Sequence, residues 1–329
     1  MKFSIRLNND MTLHQFVELA RHAEAAGFDQ IWVSNDLFWR SAPVLVAAVA
    51  AATSVIRLGI GIMNPYTVHP VELAMIAATL QEASDGRFLL GLGAGAPEFL
   101  GWASIERGSP LATTREALRD IRALQAGHTA GWSEQAYLRA PAIPAPIYLG
   151  AMSPKMLELA GAEADGAIAL LFPPEHYTVA ATHIADGCKA TDRTLADVDL
   201  VAGVWLSLDE DRMRADHALA AKIAYYGPSF SPYLLSRAGL AREDFAGIEA
   251  AMRRRDEAAA AALVTTEMLR LGISGGVDDV IARCRALIAT GVTHLSFGPP
   301  LGPVPIDAVD LLGAAILPTL RALHNKEGS

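Results

Sequence analysis

The chain has 329 residues, of which 52% are hydrophobic, and its formal net charge at pH 7 is −9. This length suits a barrel of eight βα units in one domain, and the apolar content excludes a disordered chain. The acidic balance excludes a phosphate-neutralising basic face, so we expect no nucleic-acid partner.

Short β-type runs alternate with alanine-rich helical runs along the chain, which is typical of parallel βα units. The eight predicted strands are 3–6, 30–34, 57–62, 88–93, 147–150, 167–171, 200–206 and 294–297. The predicted helices are 13–26, 43–52, 70–83, 113–126, 154–164, 175–189 and 278–289. Residues 209–275 show no strand pattern and predict a helical insertion before the last strand. The predicted fold is therefore α/β, a single (β/α)₈ TIM barrel over 1–329 with this insertion.

Targeting and redox signals are sparse in this sequence. The chain begins MKFSIRL, without an apolar leader, and its most apolar run, 43–56, is shorter than the roughly 20 residues of a membrane helix. Cys188 and Cys284, the only cysteines, lack the spacing of a metal site. We expect a cytoplasmic protein with no membrane partner and no metal.

The functional groups of such a barrel follow the C-terminal ends of its strands. The segments after strands three, four and five are rich in glycine or other small residues, and they read GIGIMNPY, GLGAGAPE and GAMSPK. Small residues let the backbone approach a flat ligand or a phosphate, although tight packing explains each cluster equally well. The pattern GxGxxG is not formed, so no dinucleotide-binding domain is predicted.

Three side chains at these ends suggest specific roles. Ser153 precedes Pro154 at a predicted helix start, where a serine cap leaves backbone N–H groups that favour a phosphate. Asp36 follows the second strand, and its carboxylate either moves a proton, accepts a hydrogen bond from a ring, or simply forms a turn. His69, before Pro70, is interpreted as a helix cap.

Several segments resemble the bacterial-luciferase-like superfamily, in particular its branch that depends on the deazaflavin coenzyme F420 and includes the methylenetetrahydromethanopterin reductases. The segments are MKFSIRL, GFDQIWVSND, IRLGIGIMNPYTVHPVELA, LQEASDGRFLLGLGAGAP and APIYLGAMSPKMLELAGAEADG. They span most of residues 1–170 in the same order and spacing, and after about residue 200 the resemblance is general only.

The resemblance implies that coenzyme F420, or FMN as the alternative, binds at the barrel mouth. It implies a non-prolyl cis peptide between Gly61 and Ile62. The implied cofactor contacts are Asp36, Gly61, Ile62, Met63, Asn64, Gly93, Ala94, Gly95, Gly150, Ala151, Met152 and Ser153. The substrate pocket would be shaped by Leu37, Phe38, Trp39 and Tyr66, each of which is equally well explained by core packing.

Two departures from the family pattern bear on the substrate. Arg6 stands where the methanopterin reductases commonly carry a glutamate as proton donor. Leu37 and Ala96 stand where the deazaflavin sugar-phosphate dehydrogenases carry histidine and glutamate. We therefore rank Asp36 first for handling the proton, with Glu98 and Arg6 behind it. Arg6 also suits an anionic substrate group, because a guanidinium pairs with a carboxylate in a fork geometry.

The predicted function is hydride transfer between the deazaflavin and a small organic substrate, with reduction of a C=N, C=C or C=O bond. A methylene-tetrahydropterin is one such substrate. The alternatives are an FMN-dependent monooxygenase of the same superfamily and a non-catalytic flavin-binding barrel. The resemblance further implies a homodimer that pairs through helices near strands two and three.

Overall fold

Parallel strands close into a barrel at the centre of the molecule. The computed structural model describes residues 1–140 and 142–327. Its strands are β1 (Lys2–Leu7), β2 (Gln30–Val33), β3 (Arg57–Met63), β4 (Phe88–Leu92), β5 (Ile147–Gly150), β6 (Gly166–Leu170), β7 (Asp199–Leu208), β8 (Ile273–Gly275) and β9 (His294–Leu301). Strands β1 to β7 pair in chain order, and β9 closes the ring between β7 and β1. The predicted eight-stranded barrel is confirmed.

Helices surround the barrel and connect successive strands. They are α1 (Leu13–Ala25), α2 (Ala42–Ala52), α3 (Pro70–Ala83), α4 (Pro97–Trp102), α5 (Pro110–Gln125), α6 (Pro154–Glu163), α7 (Tyr177–Lys189), α8 (Arg212–Tyr226), α9 (Pro232–Arg237), α10 (Ala246–Arg253), α11 (Glu257–Ala262), α12 (Thr266–Leu269), α13 (Val277–Ile288), α14 (Pro305–Leu311) and α15 (Leu317–Glu327). The predicted cap at His69 is confirmed, since its Nδ1 accepts the N–H of Val71 at 3.3 Å. Within the described residues, no helix is long and apolar enough to cross a membrane.

The barrel interior is filled by side chains rather than left as a pore. Trp32, Leu89, Tyr148, Ile168 and Val201 form a buried cluster there. The indole of Trp32 occupies the space where Gly59, on the next strand, would carry a Cβ. This glycine is therefore required by packing. The outward faces of the strands pack against the helices in a separate, larger core.

The insertion over 209–275 is helical as predicted, and it contains α8 to α12. Its apolar residues pack against the C-terminal ends of β6 and β7 through Phe172 and Trp205. The expectation that this stretch lacks a strand is wrong, because β8 pairs in parallel with the end of β7. A strand of only Ile273, Ser274 and Gly275 is too short to show a period-two pattern, and its pairing depends on the length of β7. Helices α4, α14 and α15 were also absent from the predicted set.

Candidate functional site at the barrel mouth

The loop after β2 is held in place by a buried asparagine from the end of β1. The side chain of Asn9 donates to the carbonyls of Asp36 and Arg40, at 2.9 and 2.7 Å. Its Oδ1 faces the hydroxyl of Ser34 at 3.1 Å and the N–H of Asp36 at 3.3 Å. Because one fully buried amide satisfies the loop at these points, the loop has a defined position at the mouth.

Asp36 is the point where the barrel and the insertion meet. Its Oδ2 accepts hydrogen bonds from the hydroxyls of Ser34, at 3.1 Å, and Tyr226, at 3.3 Å. Burial, followed by the charge of Asp36, raises the pKa of Tyr226, so the phenol keeps its proton and acts as a donor. Within the described residues no donor contacts Oδ1 of Asp36, which leaves that oxygen free to bind a ligand or a proton.

Arg6 lies inside the mouth and is 7% exposed. Its guanidinium fits beside Gly203 of β7 and Gly298 of β9, because a Cβ on Gly203 would come within 2.6 Å of Nη1 and one on Gly298 within 2.5 Å of Nη2. Nη1 is buried without a hydrogen-bond partner. Burial lowers the pKa of Arg6 to about 10, although the charge of Asp36 opposes that shift. The group is cationic at neutral pH and available to an anion.

Lys222 is a site residue that the sequence analysis missed. It projects from α8, donates to Oδ1 of Asn8 at 3.2 Å, and lies 4.0 Å from the ring centroid of Tyr226. Burial lowers the pKa of Lys222 to about 7, an effect to which Arg6 adds and which Asp36 and Asp10 oppose. The spacing of Lys222 and Tyr226, four residues apart, does predict one helix face. Nothing in the sequence shows that this face covers the mouth.

The end of β3 forms a bulge into the mouth. The peptide bond between Gly61 and Ile62 is cis, as the family resemblance implies. A Cβ on Gly150 would lie 2.8 Å from Cγ2 of Ile62, and one on Gly93 would lie 3.1 Å from its Cδ1. The glycines at the ends of β4 and β5 therefore make room for the Ile62 side chain.

Two expected cofactor contacts, Met63 at the end of β3 and Asn64 directly after it, make hydrogen bonds or packing contacts within the protein itself. Met63 is 2% exposed, and its carbonyl accepts the N–H of Gly93 at 3.0 Å. The Oδ1 of Asn64 accepts from the N–H groups of Tyr66 and Thr67 and from the Thr67 hydroxyl. Asn64 thus organises this loop, and the buried hydroxyl of Tyr66 has no hydrogen-bond partner.

The N-terminal end of α6 opens onto the mouth. Ser153 occupies the N-cap position, but its side chain makes no cap hydrogen bond, which corrects one part of the expectation. The N–H of Ala151 is used by the carbonyl of Ile168 at 3.0 Å. Within the described residues, the N–H groups of Met152 and Ser153 have no acceptor. Because both are next to a helix N-terminus, they suit a phosphate.

Exposed aromatic rings line the rim. Phe38 and Trp39 are 67% and 55% exposed, and Phe38 has a φ of 69°, a left-handed conformation that is rare for a bulky residue. Trp102 of α4 is 64% exposed and its ring lies 6.3 Å from that of Phe38. Trp102 is not predicted from the sequence, because α4 has six residues and no clear helical period. Glu98 lies exposed on the same short helix, and the structure does not bring it to Asp36.

The remaining expected contacts lie where the fold predicts. Leu37 is partly buried in the loop after β2, while Ala94 and Gly95 are partly buried after β4. The guanidinium of Arg107 donates to the carbonyl of Gly95 at 3.1 Å. Within the described residues there is no cluster of three or more His, Cys, Asp or Glu side chains suited to a metal.

Comparison with known proteins relates this geometry to enzymes. A family model described as luciferase-like monooxygenase matches residues 2–294. The chain is 32% identical to the 5,10-methylenetetrahydromethanopterin reductase of Archaeoglobus fulgidus, with 98% of this chain and 100% of the relative covered. It is also 32% identical to an F420-dependent glucose-6-phosphate dehydrogenase of Beutenbergia cavernae, with 91% of each covered.

A solved structure agrees with these sequence relatives. The coenzyme F420-dependent tetrahydromethanopterin reductase of Methanopyrus kandleri superposes with a TM-score of 0.88 at 27% identity. The superposition covers 97% of this chain and 99% of that chain. The similarity therefore includes the insertion as well as the barrel.

Proposed function

Because this chain belongs to the luciferase-like monooxygenase family, we propose that it is a coenzyme F420-dependent oxidoreductase acting on a small organic substrate. The observation that carries the proposal is its similarity, over nearly the whole of both chains, to the F420-dependent reductase of Methanopyrus kandleri. The reaction is hydride transfer that reduces a C=N, C=C or C=O bond. The sugar phosphate and pterin named in the relatives remain substrates of those relatives.

The residues at the mouth fit a flat ring with a phosphate-bearing chain. The bulge at Gly61 and Ile62 offers an apolar surface to the ring, and Asp36 offers a free carboxylate oxygen to its polar edge. The N–H groups of Met152 and Ser153 offer donors to a phosphate. When bound, F420 supplies a ring carbon that gives or accepts a hydride.

The protein's own contribution is to orient the two reactants, exclude water and manage a proton. Phe38, Trp39 and Trp102 cover the rim with apolar surface. Tyr226 donates to Oδ2 of Asp36 and so orients the carboxylate, whose free Oδ1 takes up or releases a proton at the mouth. Glu98 is exposed and takes a secondary place in this proposal, while Arg6 serves as a cation.

Titration of the purified protein with F420 and with FMN tests the cofactor assignment. We expect F420 to bind at micromolar concentration or below, measured by fluorescence quenching and by calorimetry, with little binding of FMN. Preference for FMN would replace the proposal with oxygen-dependent monooxygenase chemistry. Tight F420 binding without turnover on imines, enones and ketones would favour a non-catalytic flavin-binding barrel.

We also propose that the enzyme is a cytoplasmic homodimer. Cys188 and Cys284 are buried free thiols, which suits a reducing compartment. Val44 of α2 and Met75 of α3 are 61% and 54% exposed, on helices that pack against each other. Sedimentation velocity tests the assembly: the doubly substituted variant Val44→Glu/Met75→Glu should be monomeric, and a monomeric wild type contradicts the proposal.

A further inference from the structure

Arg6 is a buried cation whose charge the protein only partly balances. It is 7% exposed, its Nη1 has no hydrogen-bond partner, and within the described residues no carboxylate forms a salt bridge with it. The nearest negative charge is that of Asp36, whose Oδ2 is already shared by Ser34 and Tyr226. Leaving a buried guanidinium N–H unpaired is costly, so a group from outside the chain is the natural partner.

A second cation faces the same space. Lys222 hydrogen-bonds to the neutral amide of Asn8 and contacts the ring of Tyr226, and it forms no ion pair with any residue that the structure describes. The charged groups that act on it are Asp36 and Asp10, which raise its pKa, and Arg6, which lowers it. The ring of Trp205 lies 5.8 Å from its Nζ. Asp10 is exposed to solvent, so Asp36 is the one partly buried carboxylate among these groups, and it faces two cations.

Arg6 and Lys222 come from different elements of the fold. Arg6 extends from β1 within the barrel wall, where Gly203 and Gly298 make room for it. Lys222 comes from α8 of the insertion, and its Nζ lies 5.8 Å from the ring centroid of Trp205 on β7, the strand that also carries Gly203. The charge of Asp36 acts on both cations, although neither forms a salt bridge with it within the described residues.

We propose that the substrate of this oxidoreductase carries a carboxylate, which binds between Arg6 and Lys222. This inference rests on the proposed function and names the class of molecule that the site accepts. The fork of Arg6 and the ammonium of Lys222 bind the carboxylate from two sides and fix the orientation of the neighbouring reducible bond. Both are specificity residues, and Asp36 remains free for the proton.

A matched pair of probes isolates the charge. Benzoate and benzamide have the same shape, and only benzoate carries a negative charge at neutral pH. Calorimetry with F420-saturated enzyme at pH 6 should show benzoate binding at least about tenfold more tightly than benzamide, the scale of charge-assisted hydrogen bonds. The variants Arg6→Met and Lys222→Met should each reduce benzoate affinity about tenfold and leave benzamide binding unchanged.

The pH dependence gives a readout that does not depend on a variant. Lys222, with a pKa of about 7, is cationic below that pH and loses its charge above it. A bound carboxylate raises that pKa, so benzoate affinity should fall between about pH 7 and 9, while the charge of Arg6 persists. In Lys222→Met this fall should disappear. The exposed Lys189, which pairs with Asp186, provides the control variant Lys189→Met, with unchanged binding and pH profile.

Two outcomes would overturn the inference. Equal affinity of wild-type enzyme for benzoate and benzamide would mean that no anion site exists. An equal loss of F420 affinity in Arg6→Met and Lys222→Met, with benzoate discrimination intact, would assign the two cations to the cofactor. Failure of the wild type to bind F420 would instead reject the proposed function, and the benzoate measurement on the cofactor-free protein would still decide the anion site.

Discussion

The two ends of the barrel carry polar clusters of opposite design. At the N-terminal end, Asp199 accepts hydrogen bonds from Lys2 at 3.0 Å and from the hydroxyl of Tyr148 at 2.9 Å, and it contacts His294 at 2.9 Å. The second ring nitrogen of His294 faces the hydroxyl of Ser4, also at 2.9 Å. At the mouth, by contrast, among residues 1–140 and 142–327, Arg6 has an unpartnered N–H and Lys222 has no ion pair.

This difference separates a stabilising network from a binding site. Ser4, His294 and Asp199 have the order of a hydrolase triad, but Ser4 and His294 are 0% exposed and no substrate can reach them. In the closed network around Asp199, hydrogen bonds between the members offset the cost of removing them from water. In the open cluster of Arg6 and Lys222, part of that cost is left to be offset by a ligand. Between these two clusters, the unsatisfied donor of Arg6, and not the residue types, distinguishes the mouth from the N-terminal end.

The largest effect on stability is expected from Asp199→Asn, which breaks the closed network. We expect the free energy of unfolding to fall by about 3 kcal/mol, because the buried ring of His294 and the hydroxyl of Tyr148 lose their charged partner. Urea denaturation measures the loss. F420 affinity should be unchanged, since the network lies at the other end of the barrel. A variant as stable as the wild type would mean that this network contributes nothing.

The same substitution has a pH signature. Although burial raises the pKa of Asp199, the hydrogen bond and charge of His294, with Lys2, lower it well below the ordinary value. A carboxylate whose pKa is lower in the folded state than in the unfolded state stabilises the folded protein above the unfolded-state pKa, which is about 4 for an aspartate. That stabilisation is lost as the pH falls towards the folded-state pKa. The loss of unfolding free energy in Asp199→Asn, relative to the wild type, should therefore be complete at pH 6 and become smaller below about pH 4.

Arg6→Met sharpens the comparison because it removes a charge of similar burial from the open cluster. We expect its free energy of unfolding to change by less than about 1 kcal/mol, or to rise. The reason is that methionine carries no charge, so the variant no longer buries an unpaired guanidinium. Urea denaturation beside Asp199→Asn measures the contrast. A loss as large as that of Asp199→Asn would show that Arg6 is structural and that the two clusters are alike.

Tyr226→Phe tests the contact between the insertion and the barrel. The variant removes the donor to Asp36 and should cost about 1 kcal/mol of unfolding free energy, the usual net value of one hydrogen bond. F420 affinity should fall several-fold, on the order of 3 to 10, because the carboxylate loses a group that orients it. The adjacent Tyr225→Phe is the control. Equal effects of the two variants would assign the loss to general packing of α8.

The fold was predictable from the sequence because each strand carries its own local pattern. The buried runs of β1 and β4, for example, indicate strands covered on both sides, and the chain order then closes the barrel. The three-residue β8 was not predictable, since its pairing depends on how far β7 extends beyond the barrel.

The site was predictable only where it lies on strand ends. Gly61 lies near the end of β3, and Asp36 and Ser153 each come three residues after the end of a strand, so their place at the mouth comes with the barrel. Lys222 and Trp102 reach the same space from α8 and α4, and their positions depend on how those helices pack. The lack of a partner for Nη1 of Arg6 is a property of the folded interior that no local sequence pattern contains.

The smallest effect is expected at the exposed edge of the closed network. The side chain of Lys2 is 51% exposed, so its ion pair with Asp199 is screened by solvent, and Lys2→Met should cost at most about 1 kcal/mol. In 1 M salt the difference from the wild type should nearly vanish, because the screening length falls to about 3 Å. Lys189→Met, which removes a fully surface pair, gives the baseline in the same urea titrations. A salt-insensitive loss of several kcal/mol would mean that Lys2, rather than His294, supplies the main positive charge to Asp199, and the closed network would then depend on its rim.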